Sequence, residues 1–240
     1  MSKLLDAIFF DIDDTLFSTT LFAEQARRSA IDAMLRAGLR ADHDSALREL
    51  DEVLAEFSSN YSGHFDKVVD RLPAEASAGV NKAVIVASGV VAYHDTKWRE
   101  LKVHDDAYQV LQWLATKNLV RGIISAGITI KQAEKLVRLK LLEFLSPQAI
   151  FFTDQVGFSK PNPKLYRRVL QRMSLDPSRC IYVGDNPTHD IDPCNQEGWN
   201  TVRVRRSGRY ANENGRTKAH FEVRDFFELQ QILREQFDIL

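Results

Sequence analysis

Asp11 and Asp13 stand two residues apart in DIDDT, where the apolar run AIFF ends. On an extended chain residues at i and i+2 point to one face, so both carboxylates can address one small site. Carboxylates held this close repel, and a divalent cation is a natural third member of such a group. A turn or a helix cap needs only one such residue, yet Asp14 and Thr15 follow directly. Three further places carry chemistry: Ser125 in IISAG, Lys160 in SKPNP, and the acids Asp185 and Asp190 in GDNPTHD. Each has an ordinary structural use. A serine shortly before Gly127 shapes a turn, a lysine before Pro161 and Pro163 suits a loop entering a helix, and an acid caps a helix. The acids five apart nevertheless straddle a helix start, and their oxygens suit Mg²⁺, which takes few carboxylates and keeps its waters.

The elements that must position these residues alternate. A first strand is predicted over 7–12, short and apolar, as a strand buried on both faces of a parallel sheet would be. From about Leu21 to Trp98, apolar residues recur at three- and four-residue spacing with no strand among them, too long a stretch for one crossover. After residue 100 the pattern becomes helix, strand, helix, strand: DAYQVLQWLATKN to VRGIIS, IKQAEKLVRLKL to AIFFT, PKLYRRVLQRM to CIYVGD, THDIDPCNQEG to NTVRVRR. A final strand at 221–223 and a helix over 226–237 close the chain. The fold class is therefore α/β, a Rossmann-like doubly wound parallel sheet with an all-helical insertion. Residues 1–17 and 100–240 form the core, and 18–99 form the inserted helical domain. Ligands bind beyond the carboxyl ends of such strands, where the acids, the serine and the lysine all fall.

Composition narrows the classes. The chain has 240 residues, 44% hydrophobic and 27% charged, with 32 Lys+Arg against 33 Asp+Glu. This is a folded chain, not a disordered one. The balance leaves no global basic field for a nucleic acid polymer. Two cysteines, Cys180 and Cys194, are too few for a disulfide scaffold or a structural zinc site. No stretch has the apolar length of a membrane span, and acids interrupt the N-terminal run too early for a signal peptide, so a cytoplasmic protein is expected. The sequence does not fix the oligomeric state.

In order and placement, DIDDT, IISAG, KPNP and GDNPTHD resemble the motifs of the haloacid dehalogenase superfamily, including the subfamily with a helical cap after the first strand. The resemblance covers the whole chain. It implies a Mg²⁺-dependent phosphatase acting on a small phosphomonoester, with Asp11 as the nucleophile that becomes an aspartyl-phosphate and Asp13 as general acid and base. It further implies Mg²⁺ held by Asp11, the Asp13 carbonyl and Asp185, with Asp190 near by, and phosphoryl oxygens held by Ser125 and Lys160. Thr15 and Gly127 would support the loops. Ala126 departs from the pattern, since many members place Asn or Asp there. The implied cap would set specificity, with Asn60, His64, His94 and Lys97 as its substrate candidates, and Tyr93 beside the last two. The arginines at 203, 205, 206 and 209 read as a solvated edge, with contact to an anionic substrate as the alternative use. A 2-haloacid dehalogenase is the main alternative, but halide leaves without a proton and has little use for Asp13 or a metal. A phosphomutase and a fold-retaining binding protein are the others. A sugar phosphate, a nucleotide, a triose phosphate and a phosphorylated amino acid all fit as substrate.

Overall fold

The structure, a computed structural model, describes residues 4–57, 61–206 and 208–240. It divides into two compact units, Met1–Thr19 with Lys102–Leu240, and Thr20–Leu101.

The first unit is built on six parallel strands: β1 (Ala7–Phe10), β2 (Val120–Ser125), β3 (Ile150–Phe152), β4 (Cys180–Gly184), β5 (Asn200–Val204) and β6 (Phe221–Val223). Their order in the sheet is β3-β2-β1-β4-β5-β6. The order reverses direction at the β1/β4 pair, which is where an open α/β sheet leaves a crevice at its carboxyl edge. In register, Phe10 lies opposite Ile123 on one side and Val183 on the other, and the Asp11 amide still donates to Val183 O at 2.9 Å. The ladder therefore delivers Asp11 flush with the end of β4.

Every residue of β1 and β4 is buried, because helices cover both faces. On one face Phe9, Phe151, Tyr166, Tyr182 and Trp199 form an aromatic core, with the Phe9 and Trp199 rings 5.5 Å apart edge to face. Gly122 makes room for it, since a Cβ there would lie 2.2 Å from the Phe9 ring. The main helices of this unit are α5 (Asp105–Ala115), α6 (Thr129–Arg138), α7 (Thr153–Val156), α8 (Pro163–Met173), α9 (Asp192–Gln196) and α10 (Phe226–Phe237). The numbering continues from the four helices of the second unit, α1 (Thr19–Arg36), α2 (His43–Phe57), α3 (His64–Arg71) and α4 (Lys82–Glu100), which enclose Ile31, Met34, Leu50, Val53, Val68 and Ile85.

The doubly wound parallel sheet expected from the sequence is present. The first strand is shorter than predicted because the chain turns at the acids: Asp14 takes a positive φ of 55°, and Asp13 bridges to Phe17. The helix predicted over THDIDPCNQEG splits into a wide π-helical turn, Pro187–Ile191, followed by α9. The arginine run is a solvated edge only in part: Arg205 and Arg209 are exposed, while Arg203 and Arg206 turn inward. Arg203 is buried and donates to the carbonyls of Asp185, Tyr210 and Glu213, Arg205 reaches Ala211 O and Glu222, and Arg206 pairs with Asp106. The Arg203 and Arg205 guanidiniums tie the loop after β5 to the sheet, and Arg206 ties the chain there to α5. Arg209 stacks near Tyr210, 5.5 Å from its ring centre. Among the described residues no helix is long and apolar enough to cross a membrane.

Candidate active site

The carboxyl ends of β1 and β4 bring Asp11, Asp185 and Asp190 together. All three are buried, and each offers an oxygen within 4.8 Å of the others. Lys160, in the loop ahead of α8, crosses under them: its Nζ lies 2.5 Å from Asp11 Oδ1, 2.7 Å from Asp190 Oδ1 and 2.7 Å from Tyr182 Oη. An ammonium has three donors, and all three are used. Tyr182 is itself anchored, donating to Ile124 O at 2.9 Å. The other Asp190 oxygen accepts the Asn186 amide at 3.1 Å, while the Asn186 side chain caps the π-helical turn through the amides of Thr188 and His189. Gly184 leaves the space that the Asp190 carboxyl fills.

The electrostatics follow from burying several acids around one cation. Burial is the chief cause pushing Asp11 up to about 7; Lys160 pulls it down in part, and Asp190 and Asp13 add to the rise. Burial, then repulsion from Asp190 and Asp11, pushes Asp185 up to about 9. Burial also works against the Lys160 cation, but Asp11 and Asp190 outweigh it and hold its pKa above the ordinary lysine value. Negative charge is thus in excess at a cluster of hard oxygen donors, which fits a divalent cation of the Mg²⁺ type.

Asp13 sits half-buried at the rim with both oxygens engaged. Lys135 Nζ lies 2.6 Å from Oδ1 and 2.7 Å from Oδ2, Thr19 Oγ1 donates to Oδ1 at 2.9 Å, and Gln132 Nε2 approaches Oδ2 at 3.4 Å. Ser125, at the end of β2, is buried and donates to Gln132 Oε1 at 3.2 Å. The amide of Gln132 also donates to Ala126 O at 3.0 Å, so a polar group stands where Ala126 supplies none. Gly127, at φ +130°, permits this, because a Cβ there would lie 2.8 Å from Gln132 Nε2. Thr15 is fully buried, and its hydroxyl meets no partner among the described residues.

The structure therefore brings Asp11, Lys160, Asp185 and Asp190 into one cluster, with Asp13, Ser125, Ala126 and Gly127 joined through Gln132. Sequence reading missed Gln132, Lys135, Thr19 and Tyr182. The signal for the first two was a polar pair three apart on an amphipathic helix, hence on one face. Of the substrate candidates in the helical unit, Asn60 lies outside the described residues. His64 opens α3 with its ring edge-on to Tyr61; His94 is exposed on α4, next to Tyr93, and Lys97 Nζ lies 4.5 Å over the Trp98 ring.

A family model for haloacid dehalogenase-like hydrolases matches residues 5–198. The chain belongs to that family and is an enzyme of the hydrolase class. Its relatives include the glyceraldehyde 3-phosphate phosphatase of Methanopyrus kandleri, 37% identical over 97% of this chain and 98% of that protein. That of Pyrococcus furiosus is 36% identical over 98% and 95%. Among solved structures, a HAD phosphatase from Thermococcus onnurineus superposes with a TM-score of 0.67 at 23% identity, covering 98% of this chain and all of that one. A β-phosphoglucomutase-like structure from Thermotoga maritima, described as putative, gives 0.71 at 18%, covering 96% and 99%. These two likenesses show the fold.

Proposed function

We propose that the chain is a Mg²⁺-dependent phosphatase that hydrolyses a small phosphomonoester through an aspartyl-phosphate on Asp11. The observation that carries the reading is the joint one: Asp11 is gathered with Asp185, Asp190 and Lys160, and Asp13 stands two residues away with its carboxyl group held. A dehalogenase would have no use for that second carboxyl group.

Asp11 is the nucleophile. Its oxygen attacks phosphorus while Asp13 gives a proton to the departing alkoxide; Asp13 then takes a proton from the water that attacks the aspartyl-phosphate, returning both residues to their starting states. Lys160 holds the nucleophile by one oxygen and carries positive charge beside the phosphoryl group. Ser125, turning its hydroxyl from Gln132, takes a phosphoryl oxygen. Asp11, the Asp13 carbonyl and Asp185 would hold Mg²⁺, with Asp190 supporting. When bound, the cation offsets the repulsion between the nucleophile and the substrate's negative charge. Tyr182 keeps Lys160 aimed at the two acids it bridges. Residues 18–99 form the helical domain in which substrate choice lies, and the protein works in the cytoplasm on a small molecule.

Glyceraldehyde 3-phosphate is the first substrate to test, since five relatives at 32–37% identity carry that name. The test is phosphate release from a panel of esters with Mg²⁺: triose phosphates, sugar phosphates, nucleotides, phosphoserine and phosphoglycolate, with 2-chloropropionate as a halide control. Phosphate release from at least one ester and no chloride release is expected. Chloride release without phosphate release would replace the reading with a dehalogenase.

A further inference from the structure

Lys135 and Gln132 stand outside every residue assigned so far, yet both are buried and both converge on Asp13. Burying a lysine is costly unless it is paired, and here the ammonium is enclosed by the Asp13 carboxyl group and by the Phe17 ring, whose centre is 5.7 Å away. The two Asp13 oxygens are not held alike. Oδ1 has two close donors, Thr19 Oγ1 at 2.9 Å and Lys135 Nζ at 2.6 Å. Oδ2 has Lys135 at 2.7 Å and only a long contact to Gln132 at 3.4 Å. Gln132 in turn holds Ser125 and the Ala126 carbonyl, and Gly127 keeps clear the space its amide occupies.

We propose that Lys135 is a positioning residue for Asp13, with Gln132 as its brace. Lys135 bridges both oxygens and fixes the carboxyl plane. Thr19 adds a second close donor to Oδ1 alone, so Oδ2 is the less encumbered oxygen and the one that reaches toward the leaving group, and Gln132 couples that orientation to the Ser125 side of the site. Lys135 does not itself touch the substrate. The proton travels between Asp13 and the substrate or water oxygen, and Lys135 keeps its own three protons throughout. This inference rests on the reading of Asp13 as general acid.

The experiment is a mutant cycle on the full chain with Mg²⁺: wild type, Asp13→Asn, Lys135→Met and the double variant, each assayed on an alkyl phosphate and on p-nitrophenyl phosphate. Misplacing a reacting group by about an ångström costs about 10²-fold, so Lys135→Met should lose about that much kcat on the alkyl ester with KM nearly unchanged. On the aryl ester, whose phenolate leaves without a proton, kcat/KM should change far less. The double variant should be no slower on the alkyl ester than Asp13→Asn alone, because Lys135 acts through Asp13. Lys135→Arg should recover part of the rate. If Lys135→Met does not fold, Thr19→Val, which removes the other close donor to Asp13, is read in the same way. Losses that multiply in the double variant, or a raised KM at unchanged kcat, would overturn the proposal while leaving Asp13 in its role. A loss in Asp13→Asn that is equal for both esters would remove the general-acid reading itself, and the proposal with it.

Discussion

Replacing Gly184 by alanine tests how tightly the acidic cluster is built. The new Cβ would lie 2.5 Å from Asp190 Oδ2, 2.7 Å from its Cγ and 2.8 Å from its Cβ. Ordinary contact begins near 3.4 Å, so the Asp190 side chain must withdraw by most of an ångström. It cannot do so freely: Oδ1 is bound to Lys160 at 2.7 Å and Oδ2 to the Asn186 amide at 3.1 Å. Overpacking of this kind costs about 1–3 kcal/mol, and in a chain of this size each kcal/mol lowers Tm by about 2–4 °C. The functional effect should be larger than the structural one. Disturbing groups that orient a metal ligand costs about 10–100-fold in metal affinity or activity, and Lys160, dragged with Asp190, would leave Asp11 misaligned. Mg²⁺ titrations of phosphate release give half-saturation and turnover, and a thermal melt gives Tm. A Gly184→Ala variant with wild-type Mg²⁺ half-saturation and wild-type turnover would refute the claim that Asp190 supports the metal and the lysine.

Other outcomes follow from the same geometry. Chelation should stop phosphate release, Mg²⁺ should restore it, and Ca²⁺ should inhibit through its looser, higher coordination; full activity in excess chelator would count against the metal. In the metal-free protein Asp11 and Asp185 sit at about 7 and about 9, above the ordinary 3.8. Between those values the folded state binds more protons than the unfolded one, so Tm should fall as pH rises from about 4 toward 9. Saturating Mg²⁺ should flatten that slope, and a metal-free Tm that climbs over this range would contradict the charge excess. Gly127→Ala should cost about 1–3 kcal/mol, from a φ of +130° that alanine disfavours and from contact with Gln132, read as a lowered melting temperature.

How far the sequence spoke depends on the kind of signal. The strands were legible because a parallel sheet buried on both faces demands short apolar runs, and β2, β6, α8 and α10 begin and end where periodicity places them. Asp11, Asp185, Asp190 and Lys160 were legible because each follows a strand, and the carboxyl edge gathers such positions whatever their separation in the chain. Lys135 and Gln132 were not. They belong to a helix interior, where a lysine or glutamine is ordinarily a solvated residue, and only tertiary packing turns that face of α6 toward Asp13. Arg203 was misread for the opposite reason: its run looked like surface, but it finds the Asp185 carbonyl at the end of β4 and two more, Tyr210 and Glu213, in a loop whose course no local pattern encodes. The short β1 is a matter of the Asp14 backbone, which turns left-handed just where apolar patterning still reads as strand.

The most direct measurement of the central claim is peptide mass mapping after rapid acid quench of Asp13→Asn turning over p-nitrophenyl phosphate with Mg²⁺. In that variant the first step proceeds without a general acid while the second lacks its base, so the aspartyl-phosphate should accumulate. The account predicts a phosphoryl adduct on the peptide containing Asp11, removable by hydroxylamine. Continued phosphate release with no adduct on Asp11 at any quench time would contradict it.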